Sequence, residues 1–305
     1  MTARVMCVGG AVIDLIYEVD ALPSQDGKML ALSYRESGGG MAANAAVIVA
    51  RLGGEAAWCG RLGDDDKGRR ILDGLRQEKV DVRHARLVAG VQSSHSIVLV
   101  DGEGNRAIII YRSDAFEPDT TWLPISSILQ ADAIVADNRW VEGASLVLSA
   151  ARQHGKPAVL DADTATDRAT LTAVRAASHA IFSTPGLAGL YGTPNPGEGL
   201  RQASRDCPFV AVTMGGSGVM WIDSGGMARS MPAFPIGAVE TVGAGDIFHG
   251  AFALALVETR DEVAALRFAS ATAALKCMGR GGRASFPDRA AVEKFLNQHP
   301  PEARA

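Results

Sequence analysis

Residues 240–257 read ETVGAGDIFHGAFALALV, and the rest of the chain is arranged around them. The first half holds Gly243, Ala244, Gly245 and Asp246, small residues that let backbone N–H groups come close to a ligand. The second half places Ile247, Phe248, Ala251, Phe252 and Ala255 at helical spacing. A glycine-rich turn that opens a buried helix is an anion site, because unpaired N–H groups and the positive end of the dipole converge on whatever sits there. A phosphoryl group in transfer would be stabilised in such a turn. Asp246 falls in the first helical turn, where the dipole favours its ionised form and a general base could take the proton of an attacking hydroxyl. Taken alone, the tetrapeptide is more commonly a turn with an Asp as helix cap.

The 305 residues suit one large domain with a small appendage. A hydrophobic share of 47% and a net charge of −4 leave no global field that would favour nucleic acid or an anionic membrane, so any anion must be held by local groups. Cys7, Cys59, Cys207 and Cys277 are isolated and form no metal-ligand spacing, which reads as buried thiols in a reducing cytoplasm. No signal peptide and no run of apolar residues long enough to span a bilayer are expected.

Residues 5–9 form a short apolar run that ends in Gly9-Gly10, a buried strand meeting a turn. Asp14 follows, placed either to hold sugar hydroxyls beyond a strand end or simply as a turn acid. Residues 13–19 and 29–34 read as two further strands joined by the turn-rich stretch 22–27. The runs 94–100 and 106–111 flank Asp101-Gly102-Glu103-Gly104-Asn105, a hairpin signal. These four strands predict a β-flap inserted at about residues 13–36 and 93–113, outside the main sheet. A flap with one apolar face needs a partner, which predicts a homodimer formed through it.

The stretch SGGGMAAN at 37–44 leads into an Ala/Val-rich helix through about residue 52. Its glycines place bare backbone near a ligand and Asn44 can donate and accept toward a hydroxyl, although GGG also suits a flexible loop. Neither a Walker sequence nor GxGxxG is present. Asp64-Asp65-Asp66 reads better as a solvated helix N-terminus than as a metal site. From residue 133 onward strands and helices alternate as βαβ units do, with strands at 133–136, 158–160, 180–182, 210–213 and 219–222. Strand ends there carry Asp137, Asn138 and Arg139, then Asp161 and Asp163, then Thr213 through Gly218. Arg139 offers a planar donor fork to an anion, or a partner to Asp137 or Asp161. The basic loop 279–284, which contains Gly282, either borders nucleotide phosphates or only stops a helix.

The stretches GGGMAANAAVIVARLG (38–53), RLGDDDKG (61–68), VTMGGSG (212–218) and ETVGAGDIFHGA (240–251), in that order, resemble the ribokinase-like sugar kinases, the phosphofructokinase-B family, over essentially the whole length. The resemblance implies a three-layer α/β/α domain with a small β-sheet lid. It also implies ATP-dependent phosphorylation of a primary sugar hydroxyl, with Mg²⁺ bridging the phosphates. It casts Asp246 as base and Gly243, Ala244 and Gly245 as anion hole. Asp14, Gly39, Gly40 and Asn44 become sugar contacts, and Thr213, Gly215 and Gly218 nucleotide contacts. Within the family, residues 22–28, 137–140, 182–188, 273–277 and 281–284 are similar to those of bacterial 6-deoxy-6-sulfofructose kinases, in which a Lys, an Asn and an Arg hold the sulfonate. Lys28 and Arg139 match two of these, and Ile110 stands at the third. Gly186-Leu187-Ala188-Gly189 replaces the NxxE motif that helps many members organise Mg²⁺, so no protein metal ligand is expected. Many members also carry Asp at the position of Glu240, beside a monovalent-cation site, so potassium activation is not implied for this chain.

Overall fold

The computed structural model describes residues 2–300 except 25, 104 and 165–167. The elements run β1 (Arg4–Val8), β2 (Val12–Glu18), β3 (Ser33–Gly39), α1 (Met41–Arg51), β4 (Glu55–Gly63), α2 (Asp66–Gln77), β5 (Asp81–Val88), β6 (His95–Val100) and β7 (Arg106–Tyr111). After the short α3 (Ile125–Ile128) come β8 (Ala133–Asp137), α4 (Val141–Gln153), β9 (Ala158–Ala162), α5 (Thr170–Ala176), β10 (His179–Ser183), α6 (Thr184–Tyr191) and α7 (Pro196–Ala203). The chain closes with β11 (Phe209–Thr213), β12 (Val219–Ile222), β13 (Ala228–Met231), α8 (Ala244–Thr259), α9 (Glu262–Cys277) and α10 (Arg289–Gln298).

The main sheet has nine strands in the order β13-β12-β11-β10-β9-β8-β1-β4-β5, parallel except where β12 and β13 pair antiparallel at one edge. Residues of β8 and β9 are buried on both faces, which is why their sequences run apolar instead of alternating. Along β1, Val5 and Cys7 face one core and Met6 and Val8 the other. The first core lies under α1, α8 and α9, and the second under the helices α4 to α7. Helix α8 is apolar all round because it packs between α1 and α9 with Ile247 through Leu256 buried. Phe252 and Ile247 are fully buried there, each contributing on the order of 2 kcal/mol. Strand order reverses between β1 and β8, so a crevice opens beyond their carboxyl ends.

A separate four-stranded sheet, β3-β2-β6-β7, forms the lid. Its hairpin lies where the sequence predicts it, but the strand expected at 29–34 runs instead over Ser33–Gly39. Leu30 and Leu32 are exposed and lie before the strand, although Leu32 N donates to the Glu18 carbonyl at 2.7 Å, whereas the polar stretch from Ser33 pairs with β2 in register from Glu18 back to Val12. Apolar content marked a strand where only pairing could decide it. Gln25 and Gly104, in the expected 22–27 linker and hairpin turn, lie outside the described residues. Asp65 caps α2, accepting from Gly68 N at 2.7 Å, and also binds Ser93, which settles the acidic triplet as a helix start. Among the described residues no helix is long and apolar enough to cross a membrane.

Candidate active site

The lid and the main sheet enclose a cleft with two adjoining cavities, one of about 640 Å³ around Asp246 and one of about 450 Å³ around Arg283, with Asp14 lining both. Gly243 starts α8 in the left-handed region (φ 78°), so a glycine is required where the chain turns into the helix. Among the described residues no protein group accepts from the amides of Gly243, Gly245 or Asp246, and no side chain caps the helix. The Ala244 amide differs from expectation, since it donates to the Thr241 carbonyl at 3.2 Å. The turn therefore presents amides on either side of Ala244 to a ligand.

Asp246 stands at this mouth, and Asn44 Nδ2 donates to its Oδ2 at 2.7 Å. One face of the carboxylate opens on the cleft while protein surrounds the rest. Burial, opposed by the Asn44 bond and assisted by the charges of Asp137 and Asp163, pushes its pKa up to about 6. Asn44 is buried one turn into α1, and its Oδ1 accepts from Arg283 Nε at 2.9 Å. Arg283 Nη2 then donates to the Gly39 carbonyl at 3.2 Å. This line from Gly39 through Arg283 and Asn44 to Asp246 was not read from sequence. The only signal was a basic residue in the glycine-rich loop 279–284. Arg283 is buried, and burial lowers its pKa to about 10.

Gly40 has φ 95°, and a Cβ there would lie 2.6 Å from the Ala11 backbone, so the turn into α1 packs directly against the end of β1. A Cβ at Gly39 would lie 2.6 Å from Asp14 Oδ2, which places bare backbone beside that carboxylate. Ser96 pairs with Asp14 across β2 and β6 and donates to its Oδ1 at 2.5 Å. Burial raises the Asp14 pKa, while Ser96 and the Arg283 charge pull it back.

Asp137 is structural. Its Oδ2 accepts from Gly10 N at 2.8 Å and Ala42 N at 3.0 Å and its Oδ1 from Arg139 N at 2.9 Å, so it staples the β1 turn to the start of α1. The Arg139 guanidinium meets Asp163 at 3.4 Å, neither of the partners expected from sequence, and it lines the larger cavity together with Arg112 and Arg61. Burial lowers the Arg112 pKa, and the nearby Arg139 charge lowers it further. Beneath α8, His249 Nδ1 lies 2.7 Å from Gly245 O and 3.2 Å from Asp161 Oδ2, and Nε2 lies 3.2 Å from Ile181 O, tying the first helical turn to β9 and β10. Burial, then the Asp246 charge, raises the Asp161 pKa well above the usual range.

Thr213 ends β11 and its hydroxyl bonds the Phe182 carbonyl at 3.3 Å. Gly215 and Gly218 follow with φ of 55° and 92°, in a turn at the same carboxyl edge of the sheet. The Gly282 amide is not open to a phosphate, because it donates to Glu240 Oε1 at 3.1 Å. Lys28 is exposed on the β2–β3 connection and lines neither cleft cavity. For Mg²⁺, no group of three or more His, Cys, Asp or Glu side chains that could hold a metal occurs among the described residues, and the Asn and Glu positions of the NxxE stretch are Gly186 and Gly189. The protein side chains do not by themselves fit a metal site.

A family model described as "pfkB family carbohydrate kinase" matches residues 2–289. The chain is similar to the ribokinase of Bacillus subtilis, with 30% identity over 96% of this chain and 100% of that one. It is also similar to an ATP-dependent ribose-1-phosphate kinase of Halopiger xanaduensis, with 31% identity over 97% of this chain and 98% of that one. The solved structure of Arabidopsis thaliana ribokinase complexed with ribose and ATP superimposes with a TM-score of 0.87, at 26% identity, over 97% of this chain and 99% of that one.

Proposed function

The chain belongs to the pfkB family of carbohydrate kinases, and from that premise we propose that Asp246 takes the proton of a primary hydroxyl of a ketohexose-type sugar, whose oxygen attacks the γ-phosphorus of ATP as the bond to the β–γ bridging oxygen breaks and ADP leaves. The observation that carries this reading is the Asp246 carboxylate, held by Asn44 at 2.7 Å beside helix-mouth amides that no protein group accepts from. The amides of Gly243 and Gly245 stabilise charge on the transferring phosphoryl oxygens. Asp14, Gly39, Gly40 and Asn44 orient the sugar, and the 213–218 turn receives the nucleotide through Thr213, Gly215 and Gly218. Mg²⁺ would travel with the ATP phosphates and supply charge neutralisation. With Asp246 as base, kcat/KM should fall about tenfold per pH unit below the carboxyl pKa. Since that pKa is pushed up to about 6, the acid limb should be centred there, as a pH–rate profile would show.

The favoured acceptor carries an anionic group, as 6-deoxy-6-sulfofructose does. Arg112 and Arg139 line one cavity and Arg139 depresses the Arg112 pKa, so an anion placed between them would relieve their repulsion and accept their donor forks. Lys28, exposed and outside that cavity, is replaced in this role by Arg112. A neutral sugar is the second reading, favoured by the similarity to ribokinase and by Asp163, which already opposes Arg139 at 3.4 Å. A kinase screen of sulfofructose, fructose, fructose 6-phosphate and ribose separates the two. Arg139→Met should raise KM for the anionic sugar about tenfold and leave fructose nearly unaffected. Equal effects on both sugars, or a preference for ribose or fructose, would favour the neutral reading. A homodimer through the lid is in keeping with the exposed Leu30 and Ile109 side chains, which lie outside the two cleft cavities. Buried free thiols at Cys7, Cys59 and Cys207 suit a reducing cytoplasm.

A further inference from the structure

Among the described residues Lys276 is the one buried lysine, with its side chain 0% exposed at the end of α9. Its ammonium donates to the backbone oxygen of Glu240 and to Glu240 Oε1, each at 2.9 Å. The two carboxylate oxygens of Glu240 also accept from Gly281 N at 3.2 Å and Gly282 N at 3.1 Å. Val239 N and Glu240 N donate to the Cys277 carbonyl at 2.7 and 3.1 Å. One cation and one carboxylate therefore join the C-terminus of α9, the segment that enters the Gly243 turn, and the loop that carries Arg283. Both halves of the site hang from this junction: the helix-mouth amides directly, and Asp246 through Arg283 and Asn44.

Burial alone would raise the Glu240 pKa, but the Lys276 ammonium and the two glycine amides outweigh it and hold the carboxyl below its ordinary value. A half-buried carboxylate of this kind is stabilised by a positive partner, and the carbonyl end of α9 adds to the demand. An ammonium and a potassium ion carry the same charge and gather oxygens at similar distances. The residues present do not fit an added monovalent ion beside position 240, because a side chain already supplies the charge and engages both kinds of oxygen.

We infer that the Lys276 ammonium stands permanently in the place of an exchangeable monovalent cation, so that the glycine turn is held in its working conformation without potassium. Lys276 is a positioning residue, acting on the turn through Glu240. The inference rests on the kinase reading of the Gly243 turn, and its test has an arm that does not need turnover.

Native protein should phosphorylate its sugar equally, within about twofold, in potassium and in tetramethylammonium buffers of matched ionic strength. Stimulation of about tenfold or more by potassium would overturn the inference. Lys276→Met keeps the stem volume and removes the charge. In tetramethylammonium it should lose about tenfold or more in kcat, and potassium or ammonium at about 0.1 M should restore part of that loss. The same ions should raise the melting temperature of Lys276→Met and leave that of the native protein unchanged. A variant whose melting temperature ignores these ions, or one as active as native in tetramethylammonium, would refute the assignment. If no sugar drives ATP consumption by the native protein, the kinase reading fails, while the melting-temperature comparison still decides the cation site.

Discussion

Asp246→Asn is expected to lower kcat by about 10²-fold or more while ATP and sugar still bind. The amide replaces the carboxylate at nearly the same volume and keeps an oxygen that can accept from Asn44 Nδ2, now at 2.7 Å, so the site should hold its shape. What disappears is the acceptor for the hydroxyl proton. The acid limb of the pH profile should vanish with it, because that limb belongs to a carboxyl pushed up to about 6 by burial. Turnover, binding by calorimetry, and the profile together form the measurement. Turnover near native with the limb intact would take Asp246 out of the mechanism.

Arg283→Met is expected to have the next largest effect, on stability as well as rate. The substitution strips the donor from Asn44 Oδ1 and from the Gly39 carbonyl, both buried around the guanidinium. Each acceptor left without a partner costs about 1–3 kcal/mol, so chemical denaturation should show a loss of about 2–6 kcal/mol. Asn44, released on one side, no longer fixes Asp246, and kcat should fall by about tenfold. The direction of the pH effect is also determined. The Arg283 and Asp246 charges attract one another, so removing the cation disfavours the carboxylate and moves the acid limb to higher pH. Arg283→Lys keeps the charge without the planar fork, and should hold the limb in place while recovering only part of the stability. A limb that stays put in Arg283→Met would show that the network does not reach Asp246.

The glycine turn was legible because everything it needs lies close in the chain. Small residues, an acid one turn later and an apolar helical period are all local, and helix dipole and spacing act over the same few residues. The βαβ alternation was legible for a similar reason, since strands buried on both faces read as apolar runs. The acid triplet at Asp64, Asp65 and Asp66 read correctly as a helix start, and Asp65 is the cap. Strands that depend on a partner were harder. The β3 edge strand is polar and β5 and β13 lie at or near the sheet edges, so pairing and not composition defines them.

By itself the sequence determined a ribokinase-like α/β chain with a lid, a glycine turn opening a helix at Gly243 and an acid beside it, since each follows from short-range backbone chemistry and from motifs in order. Only the tertiary structure decided how those parts are held. Asn44 and Asp246 are 202 residues apart, Asn44 and Arg283 239, and Glu240 and Lys276 36, yet each pair is in hydrogen-bond contact. The same holds for Asp137, which reads like a site acid at a strand end but is consumed by three backbone amides. A side chain announces its charge in the sequence, whereas the choice between binding a ligand and satisfying a buried partner is made by which groups folding leaves unpaired around it.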